Sequence, residues 1–313
     1  MKWKNKLVLV TGVTGFIGSN LTKELLRRGA EITGIDNFSY IDVKIARKKL
    51  TFLGEIEIVK GNVARKDTWK KVKGDFDYVF HFAAPSSITL FNRYPRKCYE
   101  ETVFGMWNAL EFSKENNVKK LIYPSSGSVY AGNKYPHKEN IYPKPRNLYA
   151  AAKIACEGLA NSYSDFVDSV GLRIFAGYGP GEEWKRDFAS VVYLFIKDIM
   201  NDKSPIIFGD GEQKRDFIYI EDVVKAVIRA AEIKYTGIIN VGTGKPVSFN
   251  RVVEIINCEL GKEIEPKYIG RPSNYVEELK ADTKLMKRIL GIEKTTKIEA
   301  GISKFIRYLR DCE

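Results

Sequence analysis

Leu7-Val-Leu-Val-Thr-Gly12-Val-Thr-Gly15-Phe-Ile-Gly18 reads as a β-branched strand, a glycine-rich turn and the start of a helix. Glycines at 12, 15 and 18 suit a tight turn, a close approach of backbone to a pyrophosphate, and close packing of helix on strand. The helix start, with Phe16 and Ile17 in its first turn, offers unpaired N–H groups and the positive end of its dipole to phosphate. The chain has 25 glycines, so such a triplet also arises by chance; its place between strand and helix is what gives it meaning. Asp36 stands 18 residues after Gly18, at the end of the next expected strand and beside Asn37. A carboxylate there can accept the hydroxyls of an adenosine ribose. It would repel a 2′-phosphate, and no Arg or Lys follows within the next few residues, so NAD is favoured over NADP.

Outward from this turn, apolar runs at 7–10, 31–35, 55–60, 78–82, 120–123 and 169–174 alternate with helical patterns at 16–28, 41–50, 98–115 and 148–163. That rhythm predicts an α/β fold: a Rossmann-type, doubly wound parallel sheet covered by helices on both faces. Asn62 and Val63 after the third strand, and Phe82, Ala83 and Ala84 at the end of the fourth, fall on the same sheet edge as the glycine turn. They are candidate adenine and ribose contacts. Beyond Phe175 the rhythm loosens into Ala-Gly-Tyr-Gly-Pro-Gly. Helical patterns at 188–202, 221–232, 248–260, 282–290 and 297–310, with a short strand at 206–208, predict a smaller C-terminal α/β lobe. The expected division is 1–175 for the cofactor and 176–313 for the substrate, with some exchange of chain between the two.

The 313 residues are 44% hydrophobic and 29% charged, which excludes disorder and small disulfide scaffolds. Four scattered cysteines and two histidines, none in a C-x-x-C pair, argue against a metal site and for a reducing cytoplasm. No apolar run is long enough for a signal-peptide core or a membrane span. The net charge of +12 is dispersed, with no basic arm and no aromatic-rich RNA-binding signature, so neither nucleic acid nor a membrane is expected as a partner.

A tyrosine followed four residues later by a lysine occurs at Tyr40, Tyr130, Tyr149 and Tyr193, so the pair alone says little. Position separates them. Tyr149 and Lys153 open the helix that follows the Ser-rich end of the 120–123 strand, one turn apart on one helical face near the carboxyl ends of the strands. Tyr193 has apolar neighbours and reads as a core aromatic, and Tyr130 to Lys134 crosses a glycine. A phenol is a poor base at neutral pH, but a nearby ammonium favours the phenolate. Ser126, just past the expected strand, can donate to an oxygen undergoing oxidation.

Taken together, Thr11 to Gly18, Asp36, Ser125-Ser-Gly-Ser-Val-Tyr130, Tyr149-Ala-Ala-Ala-Lys153 and Gly209-Asp-Gly-Glu-Gln-Lys-Arg-Asp-Phe217 resemble the extended short-chain dehydrogenase/reductases. Within these the chain is similar to the NAD-dependent nucleotide-sugar epimerase/dehydratase family, especially UDP-glucose 4-epimerase-like members. The resemblance implies tightly bound NAD, a nucleotide diphosphate sugar as substrate and a homodimer through the 98–115 and 148–163 helices. It implies Tyr149 as base, Lys153 as its partner and a nicotinamide-ribose ligand, and Ser126 as the assisting hydroxyl. On the substrate side it places Ser86, Ser126, the 176 position, Arg215 and Arg271, the arginines suiting phosphate oxygens. Three positions depart from the family pattern: Ala176 and Thr102 where Asn is usual, and Asn62 where Asp is frequent. Gly127-Ser128 replaces the Asp-Glu pair of dehydratases, which disfavours 4,6-dehydration. The leading expectation is 4-epimerisation of an NDP-hexose, probed against a 4-keto-sugar reductase, a dehydratase and a non-catalytic NAD-binding regulator.

Overall fold

The structure, a computed structural model, describes residues 2–39, 41–271 and 276–312. Its first half runs β1 (Leu7–Thr11), α1 (Phe16–Arg27), β2 (Glu31–Asp36), α2 (Val43–Lys49), β3 (Glu57–Lys60), α3 (Lys66–Trp69), β4 (Tyr78–His81), α4 (Ile88–Arg93), α5 (Pro95–Glu115), β5 (Lys120–Ser126), α6 (Leu148–Ser162) and β6 (Ser169–Ile174). The second half adds β7 (Ala176–Tyr178), α7 (Val191–Met200), β8 (Ile206–Phe208), β9 (Lys214–Arg215), β10 (Phe217–Tyr219), α8 (Ile220–Glu232), β11 (Gly237–Val241), β12 (Val247–Ser248), α9 (Phe249–Leu260), β13 (Lys267–Ile269), β14 (Glu278–Leu279) and α10 (Ile298–Cys312).

Seven parallel strands form one sheet in the order β11-β6-β5-β4-β1-β2-β3. The chain winds outward from β1 in one direction to β3 and in the other to β11, so the order reverses between β1 and β4. In open α/β sheets that reversal leaves a crevice at the carboxyl ends of the strands. Val8, Leu9, Val10, Val79, Phe80, Leu121 and Ile122 are fully buried, as expected for central strands covered on both faces.

Two strand readings change. β5 continues through Pro124 to Ser126, paired with β6 up to Ser126 opposite Ile174. β4 pairs only with Lys120, Leu121 and Ile122 of β5, so Pro124 lies where the strand has a neighbour on one side only and a missing N–H is tolerated. Ser126 is therefore the last residue of the strand, not a residue beyond it. The sheet also does not stop at residue 175: β11 pairs with β6 as a seventh strand, and α8, which precedes it, buries one broad apolar face and leaves Glu221 and Lys225 exposed. The small sheets β10-β7, β12-β9-β14 and β13-β8 belong to the second half. The expected 282–290 helix is a π-helical turn over Met286–Leu290, and the helix expected from 188 starts at Val191, capped by Ser190. No described helix is long and apolar enough to cross a membrane.

Candidate active site

The glycine turn is built by contacts that leave no room for side chains. Gly12 has φ of 72°, and a Cβ on it would lie 2.9 Å from the backbone of Ala83 at the end of β4. A Cβ on Gly18 would lie 1.9 Å from the Gly12 carbonyl oxygen, so the first turn of α1 is pressed against the loop. Gly15 caps α1 without any side-chain hydrogen bond, and no acid sits in the first turn. The helix thus presents uncapped N–H groups and an uncompensated positive dipole end, as a pyrophosphate requires.

Asp36 is buried at the end of β2. Its Oδ2 accepts from the Thr14 N–H and hydroxyl, both at 2.9 Å, and its Oδ1 accepts from the Phe38 N–H at 2.7 Å. These bonds fix the carboxylate and leave acceptor capacity chiefly on Oδ1 for a ribose hydroxyl, less than the sequence alone offered. Asn37 turns its side chain to Ser39, at 3.0 Å from N and 2.6 Å from Oγ. Asn62 accepts from Ala64 N at 2.9 Å and donates to Glu101 at 3.1 Å. Thr102 spends its hydroxyl on the Cys98 carbonyl within α5 at 2.8 Å; its neighbour Glu101 is the residue that reaches the cleft.

Asn147 caps α6 through the Ala150 N–H at 2.9 Å and so aims the first turn, with Tyr149, at the cleft. The Tyr149 ring meets Phe91 edge-on at 5.5 Å between centroids, and Lys153 Nζ lies 5.7 Å from the Tyr149 ring centre. Lys153 is only 4% exposed, yet no carboxylate pairs with it among the described residues. A buried ammonium without a counter-ion is costly and marks a site where charge is used. Its charge acts on His81: burial first, then Lys153, pushes that imidazole down to about 3. Ser126 Oγ accepts from the Ser128 hydroxyl at 2.9 Å. Behind it, Glu157 takes Arg173 in a fork at 2.8 and 2.6 Å and holds the Ser125 hydroxyl at 2.5 Å, a buried brace on the end of β5.

One cleft of about 520 Å³ collects these residues. Gly12, Gly15, Phe16, Ile17, Gly18, Asp36, Asn37, Asn62, Val63, Phe82, Ala83 and Ala84 line it together with Ser86, Ser126, Tyr149, Lys153, Ala176 and Arg215. Arg215 lies over the Phe249 ring at 5.6 Å and donates to the Lys214 carbonyl at 2.8 Å. Arg271 is the one candidate not brought into the lining. It pairs with Asp210 and Glu277, both at 2.6 Å, and adjoins Arg215 through Glu277, whose carbonyl Arg215 reaches at 3.3 Å. Of the other Tyr–Lys pairs, Tyr130 is buried away from the cleft and Tyr193 packs on Phe305; Tyr40 lies outside the described residues, as does Pro272 after Arg271.

Residues 8–242 match the model of the NAD dependent epimerase/dehydratase family. The chain belongs to that family. It is 32% identical to UDP-glucuronate 4-epimerase of Thermodesulfobacterium geofontis over 97% of this chain and 96% of that one. The solved UDP-N-acetylglucosamine 4-epimerase from Methanobrevibacter ruminantium M1, in complex with UDP-N-acetylmuramic acid, is similar at TM-score 0.90 and 33% identity, covering 99% of this chain and 100% of that one. UDP-glucuronic acid 4-epimerase from Bacillus cereus, in complex with UDP-glucuronic acid and NAD, has TM-score 0.88 at 26% identity, covering 98% and 100%.

In this member of the epimerase/dehydratase family, the uncapped α1, the pinched glycine turn and the oriented Asp36 fit NAD, the family's cofactor. Sequence reading missed several cleft residues: Thr14, Glu101, Glu182, Trp184 and Lys185. Thr14 sits inside the glycine motif and could have been found there, because a hydroxyl two residues after Gly12 faces the β2 acid. The others carry no local pattern. Asp216, beside Arg215, is structural: its carboxylate accepts from Thr243, Gly244 and Ala281 at 2.6–3.0 Å.

Proposed function

We propose that this protein interconverts the C4 epimers of a UDP-sugar. The observation that carries the reading is the buried, unpaired Lys153 beside Tyr149, in the same cleft as the glycine turn and Asp36. NAD, when bound, supplies a hydride acceptor that returns the hydride, so no external reductant is consumed. Tyr149 takes the proton from the sugar O4 and gives it back after the 4-keto sugar has turned in the cleft. Lys153 places a positive charge beside the Tyr149 ring, and the Ser126 hydroxyl bonds the reacting oxygen. Arg215 holds the diphosphate, with Arg271 at its edge, once the Asp210 and Glu277 pairs are exchanged for phosphate. Work divides between residues 1–175 with β11 for the cofactor and the rest of 176–313 for the nucleotide sugar.

The relatives' names make UDP-glucuronate and UDP-N-acetylhexosamines the first substrates to try. Incubation with a nucleotide-sugar panel followed by NMR should show a 4-epimer from at least one UDP-sugar, without added cofactor, and Tyr149→Phe should lower that rate a thousandfold or more while NAD stays bound. A product lighter by one water, consumption of added NADH, or no 4-epimer from any panel member would overturn the reading. The functional unit is a homodimer through α5 and α6. We place it in the cytoplasm, where the free thiols of Cys98, Cys156 and Cys258 stay reduced; fractionation elsewhere would refute that.

A further inference from the structure

The two groups that would share the sugar oxygen come from different elements. Tyr149 stands in the first turn of α6, with Lys153 one turn on, and Ser126 ends β5. The tip that carries Ser126 has little of the sheet around it: β4 pairs with β5 only from Lys120 to Ile122, so among the described strands Pro124, Ser125 and Ser126 have β6 alone beside them. Sheet pairing therefore does not fix that tip against α6.

One side chain spans the gap. Glu157 follows Lys153 by four residues and Tyr149 by eight, on the same face of α6. Its Oε1 accepts from the Ser125 hydroxyl at 2.5 Å and from Arg173 Nε at 2.8 Å, and its Oε2 accepts from Arg173 Nη2 at 2.6 Å. Arg173, on β6, is held from its other side as well. Its Nη1 donates to Tyr130 OH at 2.6 Å and to the Glu139 carbonyl at 3.3 Å, and Tyr130 OH donates to Asn240 Oδ1 at 3.0 Å. The Arg173 and Glu157 side chains are only 4% and 10% exposed. A buried ion pair is weak grounds for stability, because apolar residues of similar volume often serve as well; what a two-bond fork supplies is a fixed geometry.

We propose that Glu157 is a positioning residue for the epimerisation, setting the distance from Ser126 to Tyr149 by tying the tip of β5 to α6 while Arg173 holds its carboxylate in place. The role rests on the reading of Tyr149 and Ser126 as the groups that meet at the sugar O4. Both must reach one oxygen, and a misplacement of about 1 Å can cost roughly a hundredfold in rate. Glu157 is not among the residues that line the cleft, so its effect passes through Ser126.

The test is a double-mutant cycle on kcat per mole of bound NAD, with the UDP-sugar that wild type epimerises, for wild type, Glu157→Gln, Ser126→Ala and the double variant. Glu157→Gln should lower kcat tenfold or more with KM within threefold, and in the Ser126→Ala background the same change should cost less than twofold, since the group it places is gone. A merely structural role would cost the same factor in both backgrounds. That result, or a loss below twofold in Glu157→Gln itself, would overturn the proposal. Ser125→Ala, which cuts the tie and leaves the ion pair intact, decides if Glu157→Gln does not fold or if Ser126→Ala has no measurable turnover. It should lower kcat threefold or more, whereas Ser113→Ala, which removes a buried hydroxyl of α5 bonded to the Ala109 carbonyl at 2.7 Å, should leave kcat within 1.5-fold. Equal kcat for these two variants would overturn the proposal too. Wild type that epimerises no UDP-sugar would instead overturn the reaction reading, and the positioning role with it.

Discussion

His81 ends β4 inside the core, its Nδ1 3.0 Å from the Thr11 hydroxyl, which in turn accepts from the Ala83 N–H at 3.0 Å. This link fixes the β1 and β4 ends where the glycine turn and Ala83 meet. Burial and the charge of Lys153 keep the ring neutral down to about 3, whereas an unfolded histidine titrates near 6.5. The unfolded state therefore takes up the proton first as pH falls. The stability His81 confers is full above about pH 6.5 and erodes toward pH 3, by about 3 kcal/mol at pH 4.5. His137, lowered by its own burial, acts in the same direction. Glu182 and Asp216, both raised by burial, act oppositely and favour the fold as pH falls through their native values. Urea unfolding should show wild type losing stability between pH 7 and 4.5 more steeply than His81→Asn; equal slopes would remove His81 as the cause. Should that variant not fold, NMR of wild type showing a histidine pair both titrating near 6.5 gives the same refutation. None of this was legible in the sequence, because Thr11, His81 and Lys153 are 70 or more residues apart and no local pattern joins them. Tyr149 and Lys153 were legible, since one helical turn joins them.

At the scale of elements, the first six strands and most helices follow from hydrophobic period and turn chemistry, which are local. Where they differ, a neighbour decides: β5 runs on past its proline because β6 continues to pair with it, and α5 starts at Pro95, a residue suited to the first turn. One close element contact that bears on the site is between α1 and the loop before it. A methyl on Gly18 would meet the Gly12 carbonyl oxygen at 1.9 Å and its carbon at 2.8 Å, both backbone atoms that cannot turn aside. Gly18→Ala must therefore lift α1 off the turn and separate its N–H groups from the phosphate position. We expect a loss of about 2 kcal/mol or more together with loss of NAD binding. Gly158 provides the contrast: it lies exposed in α6, and a methyl there meets nothing within 4 Å. Gly158→Ala should raise stability by about 0.5–1 kcal/mol through helix propensity, with NAD affinity unchanged. Chemical denaturation and NAD titration of the two variants check both; a Gly18→Ala protein that binds NAD like wild type would show that the turn adapts.

For the whole molecule, the sequence conveyed a doubly wound sheet with a C-terminal lobe but not the return of β11 to the sheet edge. A five-residue strand that comes after a lobe of short pieces has only the buried face of α8 to announce it. The surplus charge of +12 likewise finds little use at the site beyond Lys153, Lys185, Arg215 and Arg271, and belongs to the surface. What the surface does concentrate is apolar area on the helix pair flanking the catalytic end of the sheet. Tyr99, Phe104 and Trp107 of α5 are 38%, 46% and 46% exposed, and Leu148 at the start of α6 is 48% exposed. The Phe104 and Trp107 rings lie 6.5 Å apart, and Trp107 Nε1 donates to Tyr163 OH at 2.9 Å just past α6, so the rings are held in place rather than loose. Ordered, clustered aromatics exposed to water suit an interface centre, and a patch carried by two adjacent helices can meet its own copy about a two-fold axis. Pairing α5 and α6 with the same helices of a second chain would also fix α6, and with it Tyr149 and Lys153, against rotation. Light scattering should therefore give twice the chain mass for wild type and the chain mass for Trp107→Glu, in which a carboxylate would have to be buried without a partner. That variant should keep its NAD but turn over more slowly. A wild-type monomer at micromolar concentration would overturn the dimer, and a Trp107→Glu dimer would place its interface elsewhere.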